Sequence, residues 1–186
     1  MKVIKGMKSG GERILALGTF DGVHRGHQAL LDTGKQYARE HGILLRVCTF
    51  DRHPFEVLRP EHVPEQLTSP EEKIRLMEQY GADELQLLPF TREMADMEPE
   101  AFLEMLRTSV ILRAVAVGWN YTFGRGGKGN AELLRRDGEV HGYDVLIVPP
   151  LCGENGEVIS STLIRELLRE GRTAEAEVLL GRPYRE

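Results

Sequence analysis

The chain has 186 residues, enough to bury a full core in one domain, and its 41% hydrophobic and 28% charged content is ordinary for a globular protein. A net charge of −5 gives no basic field for nucleic acid, and two cysteines make no disulfide framework, which fits a reducing compartment. No apolar run approaches the roughly 20 residues of a membrane span and no signal-like core opens the chain, so a cytoplasmic protein without membrane or nucleic-acid partners is expected.

Strand and helix patterns alternate along the chain. Ile14-Leu15-Ala16-Leu17 reads as a buried strand, followed by a turn with glycines at 18 and 22 and a helical pattern that starts near Val23 and covers 28–40. A second strand is expected over 43–50, then a structureless, proline-bearing loop over 51–68. Ser69-Pro70-Glu71-Glu72 carries the signs of a helix start, with the helix ending at Tyr80 before Gly81. Strands follow at 85–88, 114–117 and 145–148, with helices at 99–108 and 131–136 and a glycine-rich loop over 118–129. Two short helices, 161–169 and 173–180, close the pattern. Short apolar strands alternating with helices predict an α/β fold, a doubly wound parallel sheet whose ligands sit at the carboxyl ends of the strands.

The segment Gly18-Thr19-Phe20-Asp21-Gly22-Val23-His24-Arg25-Gly26-His27 stands at one such end. Strand, glycine turn and helix start form the arrangement that binds phosphate, because glycines let the backbone approach and the helix supplies free N–H groups. His24 and His27 share one face of the first helical turn, and Gly26 leaves a notch between them. The histidines are expected outside the apolar stripe. No partner spacing for zinc and no Gly-x-Gly-x-x-Gly fingerprint accompanies them, so phosphate chemistry is favoured over a metal site or hydride transfer.

Three further constellations lie at strand or helix ends. Asp51-Arg52-His53-Pro54-Phe55 opens the long loop, where His53 has a donor for a carbonyl or phosphate and Phe55 a face for a planar ring. The loop from Gly118 through Asn120 to Asn130 mixes glycines, aromatics and cations, without the Gly-Lys-Ser or Gly-Lys-Thr of a P-loop. Ser160-Ser161-Thr162 and Arg165 place hydroxyls at a helix start and a guanidinium one turn inside, a second cradle for phosphate oxygens.

In their order, Gly-Thr-Phe-Asp-Gly-Val-His-Arg-Gly-His, Thr-Phe-Asp-Arg-His-Pro, the 118–129 loop, Ile-Ser-Ser-Thr-Leu-Ile-Arg and Leu-Gly-Arg-Pro-Tyr resemble the prokaryotic FAD synthetases. The likeness is to the FMN adenylyltransferase half of the bifunctional riboflavin kinase/FMN adenylyltransferase, and it runs from about residue 12 to 184. It implies a Rossmann-like nucleotidyltransferase fold marked by His-x-Gly-His over 1–182, a tail at 183–186, and a reaction of FMN with ATP and Mg²⁺ to give FAD and pyrophosphate. His24, His27 and Arg165 would be catalytic, with Gly18, Thr19, Phe20, Asp21, Gly26, Asn120, Ser160, Ser161 and Thr162 around the nucleotide. Asp51, His53, Pro54, Phe55, Tyr121 and Phe123 would face flavin. Mg²⁺ would arrive on ATP, with no protein metal site. The sequence departs from the family pattern at Arg52, Asn120 and Leu163. It reaches Tyr184 where bifunctional members continue into a kinase, so FAD formation without riboflavin phosphorylation is expected. The competing readings are the same fold with another phosphate acceptor, and a non-catalytic flavin- or nucleotide-binding regulator.

Overall fold

The computed structural model describes residues 1–6 and 10–184. Its main sheet joins β1 (Lys2–Lys5), β2 (Gly10–Leu17), β3 (Leu44–Phe50), β4 (Glu84–Leu88), β5 (Val110–Gly118) and β8 (Asp144–Val148) in the order β1-β4-β3-β2-β5-β8. Every neighbouring pair is parallel. β6 (Thr122–Phe123) and β7 (Gly129–Asn130) form a separate antiparallel hairpin.

Both faces of the sheet are covered, which is why its strands read as unbroken apolar runs. Ile14 and Ala16 of β2 pack with Leu45, Val47 and Leu85 under Leu30, Leu31 and Ala38 of α1 (Arg25–His41) and Leu76 and Met77 of α3 (Pro70–Gln79). The alternate residues Leu15 and Leu17 pack on the opposite face with Phe102, Leu103 and Leu106 of α5 (Pro99–Ser109) and Leu134 of α6 (Ala131–His141). A third cluster joins α7 (Ser161–Arg169) and α8 (Thr173–Leu180) through Ile164, Leu167, Ala176, Leu179 and Leu180, with Leu67 and Ile159 against them. No helix of the described residues is long and apolar enough to cross a membrane.

Several expected boundaries move. The edge strand β1 has only Ile4 buried, so too little apolar pattern marks it. The 51–68 stretch is not structureless: it holds α2 (Phe55–Leu58) and a 3₁₀ turn at Pro60–His62. A further short helix, α4 (Arg92–Ala95), is capped by Thr91, whose hydroxyl accepts from the Met94 N–H. α6 runs to His141 rather than ending at 136, because Gly142 supplies the left-handed residue that stops it. Arg185 and Glu186 of the expected tail lie outside the described residues, while the Tyr184 N–H donates to Glu177 at 2.9 Å.

Gly138 of α6 permits the close approach that seats β8. A Cβ there would stand 2.6 Å from the Tyr143 carbonyl oxygen, a backbone atom that cannot rotate away. Alanine is about 0.8–1.0 kcal/mol better than glycine in an open helix, but overpacking costs about 1–3 kcal/mol. Gly138→Ala is therefore expected to lower the melting temperature by about 2–4 °C per kcal/mol of net loss. A melting temperature unchanged or raised would show that the turn relaxes freely.

Candidate active site

β2 ends at Leu17, and residues 18–24 then pass to α1 through a turn in which Phe20 and Val23 adopt φ of +50° and +42°. A β-branched residue at positive φ is strained, and such positions persist only where the surroundings hold them. The surroundings here are explicit. The Thr19 carbonyl accepts from the Thr49 hydroxyl at 3.0 Å and the Lys73 ammonium at 3.1 Å. The Asp21 carbonyl accepts from the Ser161 hydroxyl at 2.9 Å. Phe20, expected to frame the nucleotide, is fully buried with its ring against His27 and supports the turn from beneath. Gly18 accommodates that ring, since a Cβ there would lie 3.1 Å from it.

His24 is the N-cap of α1, one residue past the expected helix start, and its Nδ1 accepts from the His27 N–H at 3.4 Å. That bond leaves the His24 proton on Nε2. The two rings stack with centroids 3.7 Å apart, and His27 Nδ1 is buried without a partner. The notch expected at Gly26 is filled by the His24 ring itself: a Cβ at 26 would stand 3.2 Å from it. Burial pushes the His24 pKa from 6.5 down to about 4. Burial, then the neighbouring His24 and Lys73, holds His27 well below its usual range. Both rings are neutral hydrogen-bonding groups at pH 7.

The start of α7 abuts this turn through the Ser161–Asp21 bond, and the Ile159 carbonyl lies 3.7 Å from where a Gly26 Cβ would stand. Two helix N-termini thus converge on the histidine pair, each with unpaired N–H groups and a positive end. Ser160 is spent as the α7 cap, accepting from the Leu163 N–H at 3.2 Å, while Thr162 is exposed. Arg165 is not the free phosphate ligand expected. It is buried, ion-paired with the Asp21 carboxylate, and its Nε donates to the Glu65 carbonyl at 2.6 Å. Asp21 likewise serves as a brace, accepting also from the Leu67 N–H at 3.0 Å.

A small cleft of about 40 Å³, open to solvent, lies beside the turn that carries the pair. Thr19, Asp21, Asp51, Arg52, His53, Pro54, Gln66 and Lys73 line it beside Phe50, Pro70, Ile74 and Leu87. Three of the residues expected at flavin are therefore together: Asp51, His53 and Pro54. The other three are not. Phe55 is not among the cleft-lining residues, and its ring packs edge-on to His53 under the Arg59 guanidinium. Phe123 is buried against Phe102, and Tyr121 stacks on Phe123. Asn120 stays exposed at the end of β5. Lys73 was not singled out by the sequence, where one lysine in a charged helix reads as solvated surface. Burial lowers its pKa, against the pull of Asp21. Among the described residues no group of three or more His, Cys, Asp or Glu side chains is placed to hold a metal ion.

In open parallel α/β sheets, two helix starts meeting at the strand ends form an arrangement suited to receiving phosphate. The sequence profile of the FAD synthetase family matches residues 7–163. A bifunctional riboflavin kinase/FMN adenylyltransferase of Bacillus subtilis is 36% identical over 172 residues, covering 92% of this chain and 54% of that protein. An FAD synthetase of Listeria monocytogenes is 36% identical over 172 residues, covering 92% of this chain and 69% of that one. The chain thus belongs to the FAD synthetase family, and it spans little more than half the length of the bifunctional relatives. Among solved structures, one described as a macrolide-efflux protein from Streptococcus pneumoniae superposes with a TM-score of 0.89 at 31% identity, over 99% of this chain and 61% of that one. A pantoate-β-alanine ligase from Francisella tularensis, at TM-score 0.55 and 14% identity over 96% of this chain and 86% of that one, shares the fold.

The low pKa values set the sign of two pH effects. Below pH 6.5 the unfolded chain takes up protons that the folded His24 refuses, so the stability from its neutral form is full above 6.5 and is lost as pH falls towards 4. Each unit is worth about 1.4 kcal/mol. Polyphosphate bound against the pair would raise both values, so nucleotide binding at pH 5, about one unit above the free His24 value, should take up protons. Calorimetry in buffers of different ionisation heat measures this uptake, and none at pH 5 would mean that the phosphates do not face the pair.

Proposed function

We propose that the chain transfers the adenylyl group of ATP to FMN, giving FAD and pyrophosphate. The observation that carries this reading is the convergence of two helix N-termini on a neutral, stacked histidine pair beside a cleft with basic and apolar walls. A phosphate oxygen of FMN attacks the α-phosphorus of ATP, and the bond to the bridging oxygen of the β-phosphate breaks, releasing pyrophosphate. Such a transfer depends on positioning and on neutralising charge. His24 donates from Nε2, the free N–H groups at Arg25 and Gly26 bind phosphate oxygens, and Ser161 and Thr162 at the start of α7 take the leaving pyrophosphate. ATP carries its Mg²⁺ on the phosphate oxygens in this reading. Arg165 acts indirectly, by holding Asp21 and hence the turn.

FMN occupies the cleft in this reading. Phe50, Pro54, Pro70, Ile74 and Leu87 offer apolar surface to the flavin ring, and Lys73, His53 and Arg52 offer charge or donors to its phosphate. The His53 Nδ1 accepts from the Phe55 N–H at 3.1 Å, leaving Nε2 as the donor. Purified protein with MgATP and FMN should yield FAD, followed by chromatography. His27→Ala should lower turnover by about 10²–10³, the cost of one preorganised donor to developing charge. MgATP binding without FAD would overturn the flavin reading in favour of another acceptor or a binding protein.

Lys73→Met separates the two substrates. Removing one charge-assisted bond worth about 1.5–3 kcal/mol should raise KM for FMN by about 10–100-fold. KM for ATP should change less, within about tenfold, because the helix N-termini stay in place although the turn loses its bond from the lysine to the Thr19 carbonyl. A larger effect on ATP would place the lysine at the triphosphate instead.

A further inference from the structure

The two peptide units before His24 are held by residues that face neither the cleft nor the phosphate cradle. Arg182 donates from one terminal nitrogen to the Gly22 carbonyl at 3.1 Å. Gln28 donates from its amide to the Val23 carbonyl at 2.9 Å and to the Leu180 carbonyl at 2.8 Å. One side chain thus joins the strained turn to the end of α8, and a second joins it to the segment beyond. Arg182 is itself mostly buried, with its other terminal nitrogen 3.6 Å from Glu72, next to Lys73 on the cleft wall. Gly22 leaves no slack, since a Cβ there would stand 2.9 Å from Leu67 and 3.5 Å from Leu180.

These contacts bear on the site for a geometric reason. Val23 sits at φ +42°, a conformation valine leaves when released, and the next residue is His24. Rotation of either peptide unit turns the His24 ring away from the 3.7 Å stack with His27 and breaks its cap on α1. The carbonyls of Gly22 and Val23 report the orientation of those two units, and Arg182 and Gln28 are the side chains that fix them.

We propose that Arg182 and Gln28 are positioning residues for adenylyl transfer: they hold the turn so that His24 and His27 aim at the phosphates. The proposal rests on the adenylyl-transfer reading for its kinetic part only. A positioning error of about 1 Å can cost about 10²-fold in rate without removing a substrate contact. The FMN cleft keeps its own lining when Arg182 is replaced, so the loss falls on turnover and on ATP.

The test compares Arg182→Met, Arg182→Lys and Gln28→Leu with the wild type, each well below its melting temperature. Imidazole nitrogen NMR reads the His24 and His27 rings directly, calorimetry reads MgATP binding without flavin, and steady-state kinetics read FAD formation. For Arg182→Met both ring signals should shift, MgATP binding should weaken about tenfold and kcat should fall about 30-fold, with KM for FMN within about twofold. Gln28→Leu should behave alike, and Arg182→Lys, which keeps a donor for Gly22, should recover most of the loss. If Arg182→Met does not fold, the other two variants carry the comparison. Unshifted ring signals with kcat within about threefold of wild type would overturn the proposal. So would a loss matched by the unfolded fraction. A wild type that forms no FAD, with ring shifts and weakened MgATP binding in the variants, would sink the flavin reading and leave the positioning role standing.

Discussion

The buried ion pair between Asp21 and Arg165 is the contact on which the site depends. Both side chains are under a tenth exposed, so each charge has been taken out of water and is tolerable only while the other is present. Removing one partner of such a pair costs about 3–5 kcal/mol. What the pair supplies is registration between distant parts of the chain. Asp21 belongs to the turn after β2, Arg165 to α7, and their remaining bonds reach the Leu67 N–H and the Glu65 carbonyl, just before α3. Three segments that share no secondary structure are thereby set against one another. Without that setting, the start of α7 would not meet the start of α1, and α3 would not carry Lys73 to the Thr19 carbonyl.

For an acidic chain to bind a polyanion, the attraction must be created locally. A fixed cation pair would do so, but two charged imidazoles stacked at 3.7 Å would repel each other in the free protein. Burial resolves the conflict by keeping both rings neutral, so that they are directed hydrogen-bonding groups and not a pair of like charges. The helix N-termini avoid the conflict, because their partial charges are built into the backbone. Longer-range attraction is weak in a chain of net charge −5. Selectivity for a substrate then rests on short contacts, which suits a site lined by directed donors.

The parts legible in the sequence were those set by local chemistry. Apolar strand runs, the Ser69–Pro70 helix start and the glycine turn after β2 each announce themselves within a few residues, and the parallel sheet follows from their alternation. What was hidden depends on partners far away in the chain. Arg165 has the same letters around it whether its guanidinium meets a phosphate or a carboxylate 144 residues away, and only the fold brings Asp21 to it. Phe20 and Phe123 look available because they sit in glycine-rich turns, yet each ring fills a core. Lys73 shows the converse: a helix written Pro-Glu-Glu-Lys reads as solvated until α3 packs its lysine towards β2. The edge strand β1 was missed because an edge needs only one buried residue.

The position of the histidines over the middle of the sheet has a topological cause. β2 continues through α1 to β3 on one side, while its other neighbour, β5, leads on towards β8. The loops after β2 and β5 therefore diverge, and the gap between them is where open parallel sheets receive ligands. The two sides of this gap are furnished differently. On the β3 side lies the cleft with Lys73 and His53; on the β5 side Trp119 and Asn120 stand exposed at the strand end. The hairpin that follows is drawn away, with Gly124 against Pro99 and the Arg125 N–H on the Met97 carbonyl at 2.7 Å. In-line displacement at phosphorus asks that nucleophile and leaving group approach from opposite directions. A phosphate held over β2 by the two helix starts meets that demand when the acceptor comes from the β3 side. In the proposed reaction the adenosine would then lie towards β5, where Trp119 and Asn120 stand exposed while Tyr121 and Phe123 are committed to packing.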